Sequence, residues 1–502
     1  MKGVVAAGHP LTAEAGAGVL REGGNAVDAA VCAVLASFAV ESPLTGFGAG
    51  GYMMVHRPGE EATLIDFFVA APGLDETERS AELVPVSVRF DADTVQTFYV
   101  GPASCGVPGT AAGLADALER FGTMALADLV GPAVRLAREG APVNPEQAYI
   151  LEILAPIHEH MPGTRELYAP GGRRLRQGDV FSFPELADAL ERYAAEGSAP
   201  FYRGEIAAAI VEFVASRGGT IGPTDLAGYG AIDRPPLAVP FRGTEVLTNP
   251  PPSSGGILIA YCLGLLERLG PKSGPEQLVA AMGAANERRD LAFAESLYQE
   301  GMEVGFLDAV GLDLAAADLL GSTTHISVLD VDGACACVTC SNGSGSGVLV
   351  PGTGVILNNM LGEEDLNPAG FHMIAPGRRV PSMMAPTIVL REGELVLALG
   401  SAGSNRIRSA ILQTVVRHVE QGFPVAEAVE ASRLHFEQGV VQAEPGIDEA
   451  ALARIEARGV GVARRPALNL FFGGVQAVAR DPRDGSLSGG ADPRRGGAVA
   501  YA

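Results

Sequence analysis

The order of hydrophobic and polar positions predicts helices through most of the chain and a change to strands in its last third. Apolar positions have helical spacing over residues 12–21 and 26–38, and the second segment is apolar on nearly every face. Such a helix is expected in the middle of a large domain. Residues 324–330 alternate instead, and Asp332-Gly333 predicts a hairpin to a second strand over 334–339. This succession predicts a layered α+β sandwich.

The same pattern of hydrophobic and polar positions predicts the remaining helices and strands. Residues 145–235 and 275–321 are predicted to be mostly helical, the latter leading into an exposed linker. Further strands are predicted at 52–56, 62–67, 387–390, 395–399, 475–480 and 498–501, and further helices at 114–121, 126–139, 257–269, 409–420 and 424–433.

Composition and charge exclude several classes of protein. The 502 residues carry a formal net charge of −23, which argues against binding to nucleic acid because phosphate contacts need basic patches. The apolar run 26–40 is shorter than the roughly 20 residues that cross a bilayer, and it contains Asp28. No signal-peptide pattern stands at Met1, so no membrane partner and a cytoplasmic location are expected.

Cysteine spacing does not predict a metal centre. Cys335, Cys337 and Cys340 fall within a predicted strand, where Cys337 and Cys340 face opposite sides. No second pair of cysteines completes four ligands. We therefore expect neither a metal nor a cofactor.

The candidate chemistry begins at Thr323-Thr324-His325, which follows Gly321-Ser322. A Thr hydroxyl is a weak nucleophile, but an amino-terminal Thr carries a base in its own α-amine. The hypothesis is that the Thr323 hydroxyl attacks the Ser322 carbonyl, and that hydrolysis of the resulting ester frees the Thr323 amine. The alternative is that these residues simply start a β-branched strand.

Other motifs favour the first interpretation. Six motifs in order along the whole chain resemble those of the γ-glutamyltransferase family. They are 22–30, 106–110 with 121–123, 250–256, 323–330, Leu357-Asn358-Asn359 and 400–407.

This resemblance implies an αββα four-layer sandwich of the N-terminal-nucleophile hydrolases. A large segment, 1–322, and a small segment, 323–502, would be intertwined parts of one domain. Cleavage would fall between Ser322 and Thr323.

The resemblance also implies a catalytic set. Thr323 corresponds to the nucleophile, and Ser341 to a hydroxyl residue that supports it. Gly403 and Ser404 stand where the family has two glycines whose backbone N–H groups form an oxyanion hole. Thr324 and Ser327 are expected to serve strand packing rather than catalysis.

The substrate-binding positions depart from the family pattern. Phe68 stands where the family has an arginine that binds the glutamyl α-carboxylate. Glu363 is the nearest equivalent of an Asp that binds the α-amine, and Asn342 of an Asn that holds the glutamyl head. A pair of serines becomes Ser382-Met383. The sequence leaves open whether another arginine replaces the missing one; the candidates are Arg378, Arg379, Arg406 and Arg408.

Three functions follow as hypotheses. The first is γ-glutamyl hydrolase or transferase activity on glutathione-like small molecules through an ester on Thr323. The second is cleavage of a different amide or C–C bond in a biosynthetic pathway, as the resemblance to natural-product relatives implies. The third is an unprocessed relative kept as a binding protein. Homo-oligomer formation is left open.

Overall fold

Two β-sheets lie face to face at the centre of the molecule, and helices cover both outer faces. The computed structural model describes residues 1–76, 79–89, 95–308 and 323–502. In order across the first sheet, the strands are Ala498–Tyr501, Gly3–Ala7, Thr324–Asp330, Cys335–Ser341, Gly50–His56, Thr63–Phe67 and Ile232–Arg234. In order across the second sheet, they are Leu487–Ala491, Gly474–Arg480, Glu394–Ala402, Thr387–Arg391, Thr244–Thr248 and Leu237–Phe241.

Alternation along the strands divides the interior into two cores. Val4 and Ala6 point between the sheets, whereas Val5 and Ala7 point to the outer helices. The strand carrying the cysteines behaves in the same way, since Cys337 lies in the core between the sheets and Cys340 in the core under the helices.

The helices form the outer layers. Those packed on the first sheet include Pro10–Glu22, Ala26–Val40 and Thr110–Phe121, followed outward by Gly131–Glu139 and Pro184–Glu196. Those packed on the second sheet include Ser254–Leu269, Arg406–Val415 and Val425–Glu430, with Pro275–Glu287 alongside. The other α-helices are Leu126–Leu129, Pro145–Ile153, Ala155–His158, Pro162–Tyr168, Ala199–Tyr202, Glu205–Ala215, Pro223–Ala227, Leu291–Ser296, Met302–Asp308 and Glu449–Glu456, and a π-helical turn spans Val416–Glu420.

Short elements complete the surface. Two-stranded sheets pair Val84–Arg89 with Val95–Val100, Ala141–Pro142 with Val180–Phe181, and Leu349–Val350 with Val355–Ile356, and a three-stranded sheet joins Leu434–Glu437, Val440–Ala443 and Gly461–Arg464. The 3₁₀ turns are Pro102–Ser104, Pro170–Gly172, Met360–Gly362, Glu364–Leu366, Leu470–Phe472 and Pro493–Arg495. Among helices of the described residues, none is long and apolar enough to cross a membrane.

Local sequence signals explain the helix bounds. The buried helix Ala26–Val40 begins at Asn25, whose side chain accepts from the Asp28 backbone N–H while the Asp28 carboxylate accepts from the Asn25 N–H. This reciprocal pair is a capping box, and it satisfies two backbone donors at the start of the helix. The single helix predicted over 126–139 is wrong, because Leu126–Leu129 and Gly131–Glu139 are separate. Pro132 lies in the first turn of the second helix, where proline is tolerated.

The layered sandwich predicted from the sequence is confirmed, and both chain segments build it. The strand Thr324–Asp330 pairs with Gly3–Ala7 on one side and with Cys335–Ser341 on the other. Its inner face packs against Glu394–Ala402 and Gly474–Arg480 of the second sheet. Residue 323 therefore stands at the start of a central strand. Residues 309–322 lie outside the described residues, and with them the end of the helical region predicted over 275–321, the predicted linker before Thr323 and Ser322 of the predicted cleavage site.

Candidate active site

Thr323 and Ser341 are brought together by the register of a β-hairpin. Thr324 pairs with Cys340, so Thr323 and Ser341 come next to each other at the same end of the two strands. The Thr323 hydroxyl donates to Ser341 Oγ at 3.3 Å, and the same Oγ accepts from the Gly343 backbone N–H at 2.9 Å. A second hydroxyl therefore lies within hydrogen-bond reach of the predicted nucleophile.

The next threonine has a different environment because side chains alternate along the strand. The Thr324 hydroxyl donates to Glu41 Oε2 at 2.7 Å, and Thr12 donates to Oε1 of the same carboxyl at 2.9 Å. Burial raises the pKa of Glu41. Thr324 thus holds the strand to the helical layer, in keeping with the packing role expected for it.

His325 is on the same side of the strand as Thr323. Its Nδ1 lies 2.7 Å from Thr339 Oγ1, and its Nε2 lies 2.9 Å from Ser327 Oγ. Burial lowers the pKa of His325 to about 3. Both ring nitrogens of this neutral imidazole are engaged by hydroxyl groups, so it does not serve as the base for Thr323.

The predicted oxyanion residues form a strand-to-helix turn. Gly403 has φ 117°, and a Cβ added there would lie 2.9 Å from Gly473 Cα. Ser404 has φ 49°, a left-handed conformation that costs a non-glycine residue on the order of 1 kcal/mol. The helix Arg406–Val415 begins directly after the turn. The amino end of a helix favours negative charge, which suits a developing oxyanion.

A pocket opens at Thr323, and most of the predicted site residues line it. Those that line it are Phe68, Thr323, Ser341, Glu363, Ser382, Met383 and Ser404, together with Met384. Gly403 is the chain neighbour of Ser404. Asn342 does not line the described pocket; it is buried, and the next residue, Gly343, lines the pocket instead.

One wall of the pocket is apolar. The Phe68 ring stacks on Tyr52 with 5.5 Å between centroids, and the Phe68 carbonyl accepts from the Tyr229 hydroxyl at 2.6 Å. These contacts fix Phe68 at the position where an arginine was expected. The other apolar lining residues are Met360, Leu366, Met383, Met384 and Ile407.

Two carboxyl groups lie in the same pocket. Glu363 Oε1 accepts from both the backbone N–H and the hydroxyl of Ser344, each at 2.8 Å. Burial, and then the nearby charge of Asp365, raise the pKa of Glu363 to about 8. Asp365 Oδ2 accepts from the Ser404 hydroxyl at 2.8 Å, while its Oδ1 is buried and has no hydrogen-bond partner among the described residues.

Sequence reasoning missed Asp365. It follows Glu363 and Glu364 in an acidic run that has no helical or strand period, so the sequence did not show which carboxylate meets the pocket. The substitution of a serine for the second glycine of the turn was noticed, and its hydroxyl is the group that binds Asp365. The serine at position 404 was therefore the sequence feature that could have pointed to Asp365.

None of the four candidate replacement arginines lines the pocket in the described part of the chain. Arg379 Nε lies 3.3 Å from Asp66 Oδ1, and its guanidinium covers the Tyr229 ring at 4.4 Å. The others contact side chains elsewhere: Arg378 the Tyr298 ring, Arg406 the Phe471 ring and Arg408 the Asn286 amide. The lost carboxylate contact at Phe68 is therefore not restored by any of them.

Comparison with known proteins gives consistent results. A family model described as gamma-glutamyltranspeptidase matches residues 12–502. The chain is 34% identical to an Acylase ACY 1 proenzyme of Pseudomonas sp. (strain SE83), covering 98% of this chain and 92% of the relative. It is 33% identical to the glutathione hydrolase proenzyme of Escherichia coli (strain K12), covering 98% and 90%. A crystal structure of cephalosporin acylase from Bacillus halodurans superposes with a TM-score of 0.85 at 25% identity, covering 100% and 96%.

Proposed function

Since this chain belongs to the γ-glutamyltranspeptidase family, we propose that it cleaves itself before Thr323 and then transfers acyl groups from small amides through an ester on Thr323. The observation that carries the proposal is the position of Thr323. It directly precedes a central strand, its hydroxyl lies 3.3 Å from Ser341 Oγ, and it lines a pocket. The names of both curated relatives call them proenzymes, which supports a processing step.

In the self-cleavage step, Thr323 Oγ1 attacks the carbonyl carbon of Ser322. The C–O bond forms as the C–N bond breaks, and the hydroxyl proton passes to the departing nitrogen. Water then hydrolyses the ester and leaves a carboxylate on Ser322 and a free α-amine on Thr323. Segments 1–322 and 323–502 would be the two products.

In the acyl-transfer step, the new α-amine takes the proton from the Thr323 hydroxyl as that oxygen attacks the substrate amide. An α-amine titrates at about 7.7–8.0 in model peptides, so about 10–20% of it is already the free base at pH 7. The oxyanion would be stabilised at Gly403 and Ser404, and the proton would pass to the departing amine. Water or a second amine then releases the acyl group.

The family name favours γ-glutamyl substrates, but the pocket favours a second candidate. Phe68 and Met383 stand at positions where the family has polar residues that bind the glutamyl group. No arginine is among the described lining residues. The alternative is therefore a related hydrolase that acts on a non-glutamyl amide or on a C–C bond. A panel of γ-glutamyl and non-glutamyl substrates separates the two.

The first test is the denatured intact mass of the purified chain beside Thr323→Ala. Two fragments, 1–322 and 323–502, are expected for the wild-type chain, and one full-length species is expected for the variant. Thr324→Ala is the matched control and should still be cleaved, because its hydroxyl binds Glu41 on the opposite face. A single full-length species in all three would overturn the proposal and favour an unprocessed binding protein.

Two further expectations belong to the same proposal. A cytoplasmic location is expected, and fractionation of the producing cells tests it. Homo-oligomer formation stays open, and the mass of the native protein in solution decides it.

A further inference from the structure

The side chain of Arg495 packs against the predicted oxyanion turn. A Cβ added at Gly403 would lie 3.6 Å from Arg495 Nη2, and one added at Gly474 would clash with Arg495 Cδ. Gly474 pairs with Ala402, the residue before Gly403. Two glycines thus leave the space that this side chain fills, and its guanidinium group lies close to the backbone donors of the turn.

Arg495 has no acidic partner in the described part of the chain. Its side chain is half-buried, and its Nε is buried without a hydrogen-bond partner. No described carboxylate lies within ion-pair distance of its guanidinium group. Asp492, whose charge reaches Arg495, pairs instead with Arg433 at 2.7 Å and with Arg494 at 3.1 Å. The positive charge of Arg495 is therefore not neutralised by an ion pair.

The same cation is close to the strand that follows the nucleophile. Burial raises the pKa of Glu41, and the charge of Arg495 opposes that shift. Glu41 Oε2 accepts from the hydroxyl of Thr324, the residue after Thr323, at 2.7 Å. Arg495 is thus near both the oxyanion turn and the amino end of this strand, although it does not line the described pocket.

Resting on the proposed function, we infer that Arg495 stabilises the negative charge that forms on the acyl oxygen at Gly403 and Ser404. It acts through its own charge and does not contact the acyl group. Such a cation is fixed before the reaction, so it needs no reorganisation when the oxyanion forms. At the effective dielectric of a protein interior, a unit charge several ångströms away changes the rate by about tenfold or more.

Four amides of 7-amino-4-methylcoumarin test the inference with the full-length, self-cleaved protein. They differ only in the groups on one acyl chain: 4-aminobutanoyl has an amine, glutaryl a carboxylate, γ-glutamyl both and butanoyl neither. Reactions without protein correct for spontaneous cyclisation of the 4-aminobutanoyl amide. All four amides form the same oxyanion, so a loss caused by the missing charge of Arg495 should be uniform.

Arg495→Gln removes the charge, whereas Arg495→Lys keeps it. Arg495→Gln should lower kcat and kcat/KM for all four amides by about tenfold or more, because the interaction is made only in the transition state. Arg495→Lys should recover most of both values. Arg417→Gln is the matched control, since Arg417 is also half-buried and donates to backbone carbonyls. It lies beyond the far end of the helix Arg406–Val415, about 15 Å from the turn.

The pH profile separates an effect of charge from a general loss of structure. The lower limb of kcat/KM against pH reports the Thr323 α-amine, whose protonated form a nearby cation disfavours. Arg495→Gln should therefore move that limb to higher pH, whereas Arg495→Lys and Arg417→Gln should leave it in place. The other charged or titratable groups are the same in every variant: around Thr323 they are Glu41, His325, Glu363 and Asp365, and around Arg495 they are Arg406, Arg433 and Asp492.

Three results would overturn the inference and leave acyl transfer intact. The first is a loss confined to the glutaryl and γ-glutamyl amides, which would make Arg495 a partner of a substrate carboxylate. The second is a wild-type kcat in Arg495→Gln. The third is a slower Arg495→Gln whose lower limb stays in place.

Arg495→Met is a second neutral variant, in case Arg495→Gln does not cleave itself. If Arg495→Lys cleaves itself and neither neutral variant does, the need for charge is upheld, because self-cleavage also passes through an oxyanion. If all three stay uncleaved, the role of Arg495 is structural and the inference is wrong. A cleaved wild-type chain that hydrolyses none of the four amides, nor any other amide in a broad panel, would overturn the proposed acyl transfer itself.

Discussion

The pocket has two halves that are built differently. The nucleophile half consists of Thr323 and Ser341, which stand at strand ends, and of the strand-to-helix turn Gly403-Ser404, of which Ser404 lines the pocket. The recognition half consists of Phe68, beyond the end of a strand, and of Glu363 and Asp365, which lie in or beside a 3₁₀ turn. Strand register fixes the first set, whereas irregular segments can change without disturbing the sheets. On the proposed function, the reacting groups and the choice of acyl group would therefore be encoded in separable parts of the chain.

Gly403→Ala should give the largest effect and should act on every substrate alike. Its φ of 117° suits glycine, and the added Cβ would lie 2.9 Å from Gly473 Cα, so the turn must move. Displacing one oxyanion donor typically lowers kcat by about 10²–10³-fold. The measurement is kcat for the four coumarin amides, with a uniform loss expected.

Gly393→Ala is the matched control for that prediction. Gly393 also has a positive φ, 82°, at the other end of the same strand, and an added Cβ would meet nothing within 4 Å. It should cost some stability but leave kcat near the wild-type value. A loss of kcat in Gly403→Ala confined to one of the four amides would contradict the division into two halves.

Phe68→Arg should change selectivity rather than chemistry. An arginine at this position faces the pocket beside Asp365 and gives an anionic acyl group a partner. The glutaryl to 4-aminobutanoyl ratio of kcat/KM should rise by about tenfold or more. Phe68→Leu, which adds no charge, should leave that ratio close to the wild-type value.

Self-cleavage reports whether the Phe68 variants fold. Phe68 is buried against Tyr52, so the arginine is expected to lower the melting temperature. If a variant still cleaves itself but keeps the wild-type ratio of kcat/KM, then the residue at position 68 does not determine which acyl charge the pocket prefers.

The sequence predicted more of the nucleophile half of the pocket than of the recognition half. The family resemblance suggested Thr323 and Ser341, and the two do lie next to each other, because strand pairing fixes which residues meet across a hairpin. In the other half, Asn342 was expected at the pocket, but it is buried and does not line the described pocket, whereas Gly343 does. Asp365 was missed, since a 3₁₀ turn carries no period from which to infer its facing side.

Arg379 illustrates the same limit of prediction from a single sequence. Its sequence position left it a candidate partner for a substrate carboxylate, but in the structure it pairs with buried Asp66. The two residues are far apart in the chain, and no local pattern links them. Long-range pairing of this kind is decided by tertiary packing, which a single sequence does not display.

Ser341→Ala should have a moderate and uniform effect. It removes the acceptor 3.3 Å from the Thr323 hydroxyl, and one neutral hydrogen bond of about 1 kcal/mol corresponds to about fivefold. Self-cleavage and hydrolysis of all four amides should slow by that factor. The half-time of cleavage and kcat/KM measure the effect.

Ser346→Ala provides the comparison for Ser341→Ala. Ser346 is also buried and also both donates and accepts, to Leu357 and from Val348, but it does not line the described pocket. Its rates should stay within about twofold of wild type, well inside the fivefold effect of one hydrogen bond. Equal slowing in the two variants would assign the Ser341 effect to stability rather than to the nucleophile.

The smallest effect concerns the proton on Glu363. Burial and the charge of Asp365 raise the pKa of Glu363 from its ordinary value of 4.5 to about 8. Between these values the folded chain keeps a proton that the unfolded chain has released, so raising the pH favours unfolding. The stabilisation is fully present below about pH 4.5 and is lost as the pH rises to about 8.

Glu363→Gln tests this sign, because the amide oxygen still accepts from Ser344 but does not titrate. Its free energy of unfolding, from urea denaturation, should fall less steeply between pH 5 and 8 than that of the wild type. Exposed Glu364→Gln should follow the wild-type slope, whereas parallel curves for wild type and Glu363→Gln would contradict the raised pKa. Above pH 8 the second negative charge should also depress glutaryl turnover further in the wild type than in Glu363→Gln, because only the wild-type recognition half gains charge.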